Sequence, residues 1–75
     1  MKAMKYGAVG MLPDNIRLVS LYANIYLVIT NLLTNNHEQI IKLEKKITSE
    51  FIHIAECGSI LVNVCNCVRI YSFNR

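Results

Sequence analysis

No stretch of this sequence carries a recognisable catalytic motif, and several other features are scarce. Charged residues make up 17% of the chain and hydrophobic residues 53%, where about 25% charged is usual for a soluble domain. That balance excludes disorder as the dominant state, because the chain has ample apolar surface to bury. The cations Lys2, Lys5, Arg17, Lys42, Lys45, Lys46, Arg69 and Arg75 are scattered, and the net charge is only +3. Nucleic-acid binding would want clustered Lys and Arg beside aromatic platforms, so this distribution argues against it. Three cysteines are an odd number and cannot close a disulfide framework. They read as reduced, partly buried thiols of a cytoplasmic protein. The apolar run in residues 1–12 is short, is broken by Gly7 and Gly10, and has no small-residue cleavage site after it, so these residues are not expected to act as a secretory leader. Internal repeats and low-complexity tracts are also missing.

Seventy-five residues make one small domain. A chain of this length buries only about 60% of its unfolded surface, so partners, metals or self-association often supply the rest.

The pattern that is present points to helices. Between Asn36 and Cys57, Ile40, Leu43, Ile47, Phe51 and Ile54 recur at steps of three and four, one face of a 3.6-residue helix. Asn36 and Gln39 fit a capping box, and Gly58 fits a left-handed stop. Pro13, the single proline, suits a helix start. From Asn15 to Leu33 the chain is almost continuously apolar, with Arg17, Ser20, Asn24 and Asn31 as a narrow polar stripe. The run IYLVIT within it would also suit a buried strand. Thr34-Asn35-Asn36 makes a short turn that demands an antiparallel return.

The expected fold is therefore mostly α. It is an antiparallel helical hairpin of residues 13–34 and 36–57, preceded by a flexible or short extended N-terminus (1–12) and followed by an apolar segment (59–73). That last segment is open between strand and helix. Read as a strand, it puts Ile60, Val62, Val64, Val68 and Ile70 on one side and Leu61, Cys65, Cys67 and Tyr71 on the other.

Three sets of residues are candidate sites. The helix face Ile40, Leu43, Ile47, Phe51 and Ile54 would anchor a partner protein or a second copy. The stripe Arg17, Ser20, Asn24 and Asn31 would form a polar seam fixing register in an oligomer, or would simply face solvent. His53, Cys57, Cys65 and Cys67 offer four soft ligands that could meet around zinc if 59–73 is extended. Buried small hydrophobes and a surface histidine are the plainer account of the same four. No cysteine–histidine pair comes with an oxyanion motif or room for a cleft, so no catalytic residue is assigned and no enzyme activity is expected.

The function that follows is a small non-enzymatic protein-interaction module: a regulator, inhibitor or small subunit that buries apolar helix faces in a homo-oligomer or larger complex. The alternative is a single-pass membrane protein with residues 16–33 inserted, although the uncharged stretch is shorter than the roughly 20 residues a span needs. A zinc-stabilised binding domain is a further alternative; otherwise no cofactor is expected.

Overall fold

The computed structural model describes residues 6–73 of the chain. It is built from strands. In chain order they are β1 (Tyr6–Met11), β2 (Arg17–Tyr22), β3 (Tyr26–Asn31), β4 (Asn36–Lys42), β5 (Ile52–Ile54), β6 (Ile60–Val64) and β7 (Cys67–Tyr71). The first four form an antiparallel sheet in the order β1-β2-β3-β4, and the last three a second one in the order β5-β6-β7. Both are meanders, in which each strand pairs with the next one along the chain.

The expected mostly-α helical hairpin is overturned. Among the described residues the only helix is a single 3-10 turn at Ser49–Phe51. Residues 13–34 hold a turn, β2, a second turn, β3 and a third turn. Residues 36–57 hold β4, an irregular connection, the 3-10 turn and β5. Of the N-terminal segment, Tyr6–Met11 is a strand, and residues 1–5 lie outside the described part. The open question over 59–73 resolves to strand, but as a hairpin of two strands. No helix among the described residues is long and apolar enough to cross a membrane, and residues 16–33 are chiefly the β2–β3 hairpin.

The physical reason lies in the turns, most of which rest on asparagine. Asn15, Asn24, Asn35 and Asn66 have φ of 59°, 62°, 62° and 65°, with Ala23 and Cys65 also left-handed at 53° and 51°. Asparagine tolerates this region better than most residues, because its short amide can bond locally to the backbone. At residues 65–66 two successive left-handed residues make the two-residue hairpin turn whose twist matches that of the strands. Asn24, taken above as one residue of a helical stripe, is instead the break that folds a long apolar run into two strands. Gly58 does adopt the left-handed backbone expected of it, at φ 96°. It does so in the β5–β6 connection, where its N–H donates to Ala55 O at 2.9 Å.

Strand alternation then sorts the side chains. On the first sheet Val19 pairs with Ile29 and Leu21 with Leu27, and Leu27 in turn pairs with Ile41. On the second, Val62 pairs with Ile52 and Ile60 with Ile54. These two faces meet. Val19, Leu21, Leu27, Ile29, Ile60, Val62 and Val64, with Leu12, Leu43 and Ile52, make one buried apolar cluster. This is a two-layer arrangement, each sheet covering the other's apolar side. β1 comes close to β5 at Gly10, where an added Cβ would sit 3.2 Å from Ile54 Cδ1. Gly10 follows a register shift in the β1–β2 pairing, so an unsubstituted, bulged strand accommodates the close approach.

Candidate interaction surface

Each sheet has a second face that points away from the core. On the first sheet the register runs Ala8, Ser20, Val28, Ile40 straight across all four strands. Val28 is only 2% exposed, yet it stands apart from the core cluster. It is buried on the outward side, between Ser20 and Ile40. Ile40 itself is 60% exposed. On the second sheet the outward rows are His53, Leu61, Ile70 and Asn63, Val68. Val68 and Ile70 are 62% and 66% exposed. The outward faces are thus rich in aliphatic side chains, where a sheet facing water alone would alternate to polar ones.

The five proposed anchors do not share a face. Ile40 points outward from β4. Leu43 is buried in the core, with Ile47 and Ile54 packed partly against the same cluster. Phe51 lies half-exposed on the 3-10 turn. The chain from 40 to 54 changes conformation three times, so the helical spacing has no helix to act on.

The polar set is placed differently again. Arg17 and Asn31 are directly opposite each other on β2 and β3, and both reach Glu38 on β4. Arg17 Nε donates to Glu38 Oε1 at 2.6 Å and Asn31 Nδ2 to Glu38 Oε2 at 3.3 Å. Arg17 also pairs with Asp14 and stacks its guanidinium over Phe73 at 4.5 Å from the ring centre. Glu38 and Asp14 hold the Arg17 charge more firmly than in water, raising its pKa. Asp14 accepts the backbone N–H of Ile16 at 2.9 Å, and that bond, with help from Arg17, pulls its carboxyl below the ordinary value. Ser20 is buried in the outward row. Asn24 sits in the β2–β3 turn and bonds to Ile47. Arg17 and Asn31 are therefore brought together, while Ser20 and Asn24 stand apart from them.

The candidate zinc ligands are not gathered. Among the described residues there is no group of three or more His, Cys, Asp or Glu placed to hold an ion. His53 lies on the outward side of β5, Cys57 in the β5–β6 turn, and Cys65 and Cys67 at the far end of the second sheet. Cys65 sits in the turn itself, so the hairpin sends the chain back before the two cysteines can act as neighbours on one strand. All three cysteines are free and exposed, where partly buried thiols were expected. Cys57 Sγ lies 3.3 Å from Ser59 Oγ, and hydrogen bonds from the Ser59 hydroxyl and backbone N–H favour the thiolate and lower the thiol's pKa. Lys45 is raised by its hydrogen bond to Cys65. A shallow surface depression of about 360 Å³ lies here between Glu44, Lys45, Val64, Cys65, Cys67 and Arg69.

The sequence pattern missed the apolar side chains of β7. On one continuous strand Val68 and Ile70 would share the core side with Ile60 and Val62. The turn at 65–66 places Cys67 opposite Val64, so parity switches and both residues go outward. Asn66, a residue that tolerates left-handed backbone, was the available signal. Comparisons with family models, with curated proteins and with solved structures each found no match.

Proposed function

We propose that this chain is a non-enzymatic protein-interaction module that buries its outward apolar sheet faces by packing them face to face against a second copy of the chain. The observation that carries the proposal is the outward exposure of Ile40, Val68 and Ile70 from both sheets. Val68 and Ile70, in adjacent rows of one outer face, and Ile40 on the opposite outer face each favour association, at roughly 25 cal/mol for each Å² of apolar area removed from water. The interaction uses sheet faces in place of the helix faces expected from the sequence.

Sedimentation velocity across a wide concentration range tests this reading, with the wild type beside an I40E/V68E/I70E variant. These three side chains are largely exposed, so the variant keeps its fold, which circular dichroism verifies. The wild type is expected to associate as concentration rises, and the variant to stay monomeric. A wild type that remains a single ideal species at millimolar concentration, sedimenting like the variant, contradicts the proposal.

A further inference from the structure

The two sheets differ in strand number, four against three. They leave four edges, and three of these are guarded in the ways that sheet proteins use to prevent unwanted pairing. β1 carries Gly7 and Gly10 and a register shift. β4 has a register shift against β3 and carries Glu38 and Lys42. β5 is only three residues long. β7 differs from all of these. Its pairing with β6 is regular from Val64–Cys67 to Ile60–Tyr71, it contains no Gly or Pro, and its one charge is Arg69.

Hairpin geometry fixes which groups of β7 are available. The two-residue turn at 65–66 makes Val64 and Cys67 a hydrogen-bonded pair. Pairing alternates from there, so Cys67, Arg69 and Tyr71 bond to β6. The N–H and C=O groups of Val68 and Ile70 point to the open edge. Among the described residues, no backbone bond outside the sheet reaches either of them. Their side chains are the two most exposed aliphatic ones on this sheet. Arg69 projects to the opposite side, where Glu44 holds its guanidinium through bonds of 3.0 and 3.3 Å.

We infer that the β7 edge is a strand-acceptor site. It takes an extended segment of another protein as an antiparallel fourth strand, with aliphatic residues opposite Val68 and Ile70 and an acidic residue opposite Arg69. Main-chain bonding supplies the affinity, and the alternating side chains supply the selection. The first sheet shows the same completion: β4 adds to β3 with Ile40 opposite Val28 and Ile41 opposite Leu27. Charge selects a partner over a second copy. In the centred self-pairing of two β7 strands Arg69 would face Arg69 and two chains of net charge +3 would meet, whereas an acidic strand can reach Nη1 of Arg69, the guanidinium nitrogen that the bonds to Glu44 do not use. The inference goes beyond the face-to-face association proposed above, adding an edge that takes another protein.

The test is an amide-resolved NMR titration of the full chain with acetyl-Thr-Val-Glu-Val-Thr-amide at millimolar concentration. The Val68 and Ile70 amides are expected to shift and to exchange more slowly. Methylating both valine nitrogens of the peptide removes the bonding edge and should weaken binding at least about tenfold. Replacing its glutamate by lysine should weaken binding by about threefold, and an Arg69→Glu chain should reverse that preference. Absence of shifts at Val68 and Ile70 overturns the strand-acceptor site. Equal binding of the methylated peptide, with shifts centred on His53 and Leu61, also overturns it while leaving face-to-face association intact. Protection of Val68 and Ile70 that grows with chain concentration in the absence of peptide overturns the choice of partner in favour of a second copy.

Discussion

Asn24 and Ile47 are joined twice. The backbone N–H of Ile47 donates to Asn24 O at 2.8 Å, and Asn24 Nδ2 donates back to Ile47 O at 3.0 Å. Asn24 turns β2 into β3, and Ile47 lies on the connection that carries the chain from the first sheet to the second. One residue thus shapes a turn and pins the crossover. Alanine at this position loses the side-chain bond, worth about 1 kcal/mol. It also carries the left-handed penalty of about 1–2 kcal/mol. We expect Asn24→Ala to destabilise by about 2–3 kcal/mol and Asn24→Gly by roughly 1 kcal/mol, read from urea midpoints.

The β6–β7 turn can be improved. Cys65 is left-handed at φ 51° and Asn66 at 65°, positions for which Asn-Gly is the preferred pair. A C65N/N66G variant should gain about 1 kcal/mol with an unchanged strand spectrum. A loss of stability would show that the turn has another conformation.

Acid should weaken the β1–β2 corner. The Asp14 carboxyl is lowered first by the backbone N–H of Ile16 and further by Arg17. Its folded pKa therefore lies below its unfolded one. The stability it contributes is complete above the ordinary carboxylate pKa near 3.9 and is lost as pH falls through the folded value. Asp14→Asn should lower stability near neutral pH and shrink the further loss on acidification. Urea unfolding of both proteins at about pH 7 and about pH 2.5 reads this out.

Truncation in the shared core should be severe. Ile60 is fully buried and packs in the cluster drawn from both sheets. Ile60→Ala is expected to cost about 2–5 kcal/mol, against total stabilities of about 5–15 kcal/mol for domains in general. A change under about 1 kcal/mol would mean that the two sheets do not share this core.

Some of this was legible in the residues. The antiparallel return at 34–36, the boundary at Pro13, the left-handed Gly58 and the extended alternative for 59–73 all have counterparts in the structure. The β-branched content of IYLVIT and ILVNV carried the strand signal. The helical reading prevailed because the steps of three and four from Ile40 to Ile54 cross a strand, a loop, a 3-10 turn and a second strand. Each of these apolar residues is placed by a different partner. Long-range pairing, such as Leu27 with Ile41 or Ile52 with Val62, leaves no periodic trace in a single sequence. The turns were hidden because asparagine, in place of glycine or proline, makes most of them. Of the candidate sites, the pairing of Arg17 with Asn31 was within reach of strand parity. The outward turn of Val68 and Ile70 required the hairpin at 65–66 to be seen first.

Amide hydrogen exchange along residues 67–71 of the free chain, at low concentration, tests the central claim most directly. A strand paired on one side alone predicts alternation: Cys67, Arg69 and Tyr71 slow, Val68 and Ile70 fast. Consecutive slow amides throughout the segment would indicate a helix or a strand already covered on both edges, and would contradict both the fold and the open surface argued from it.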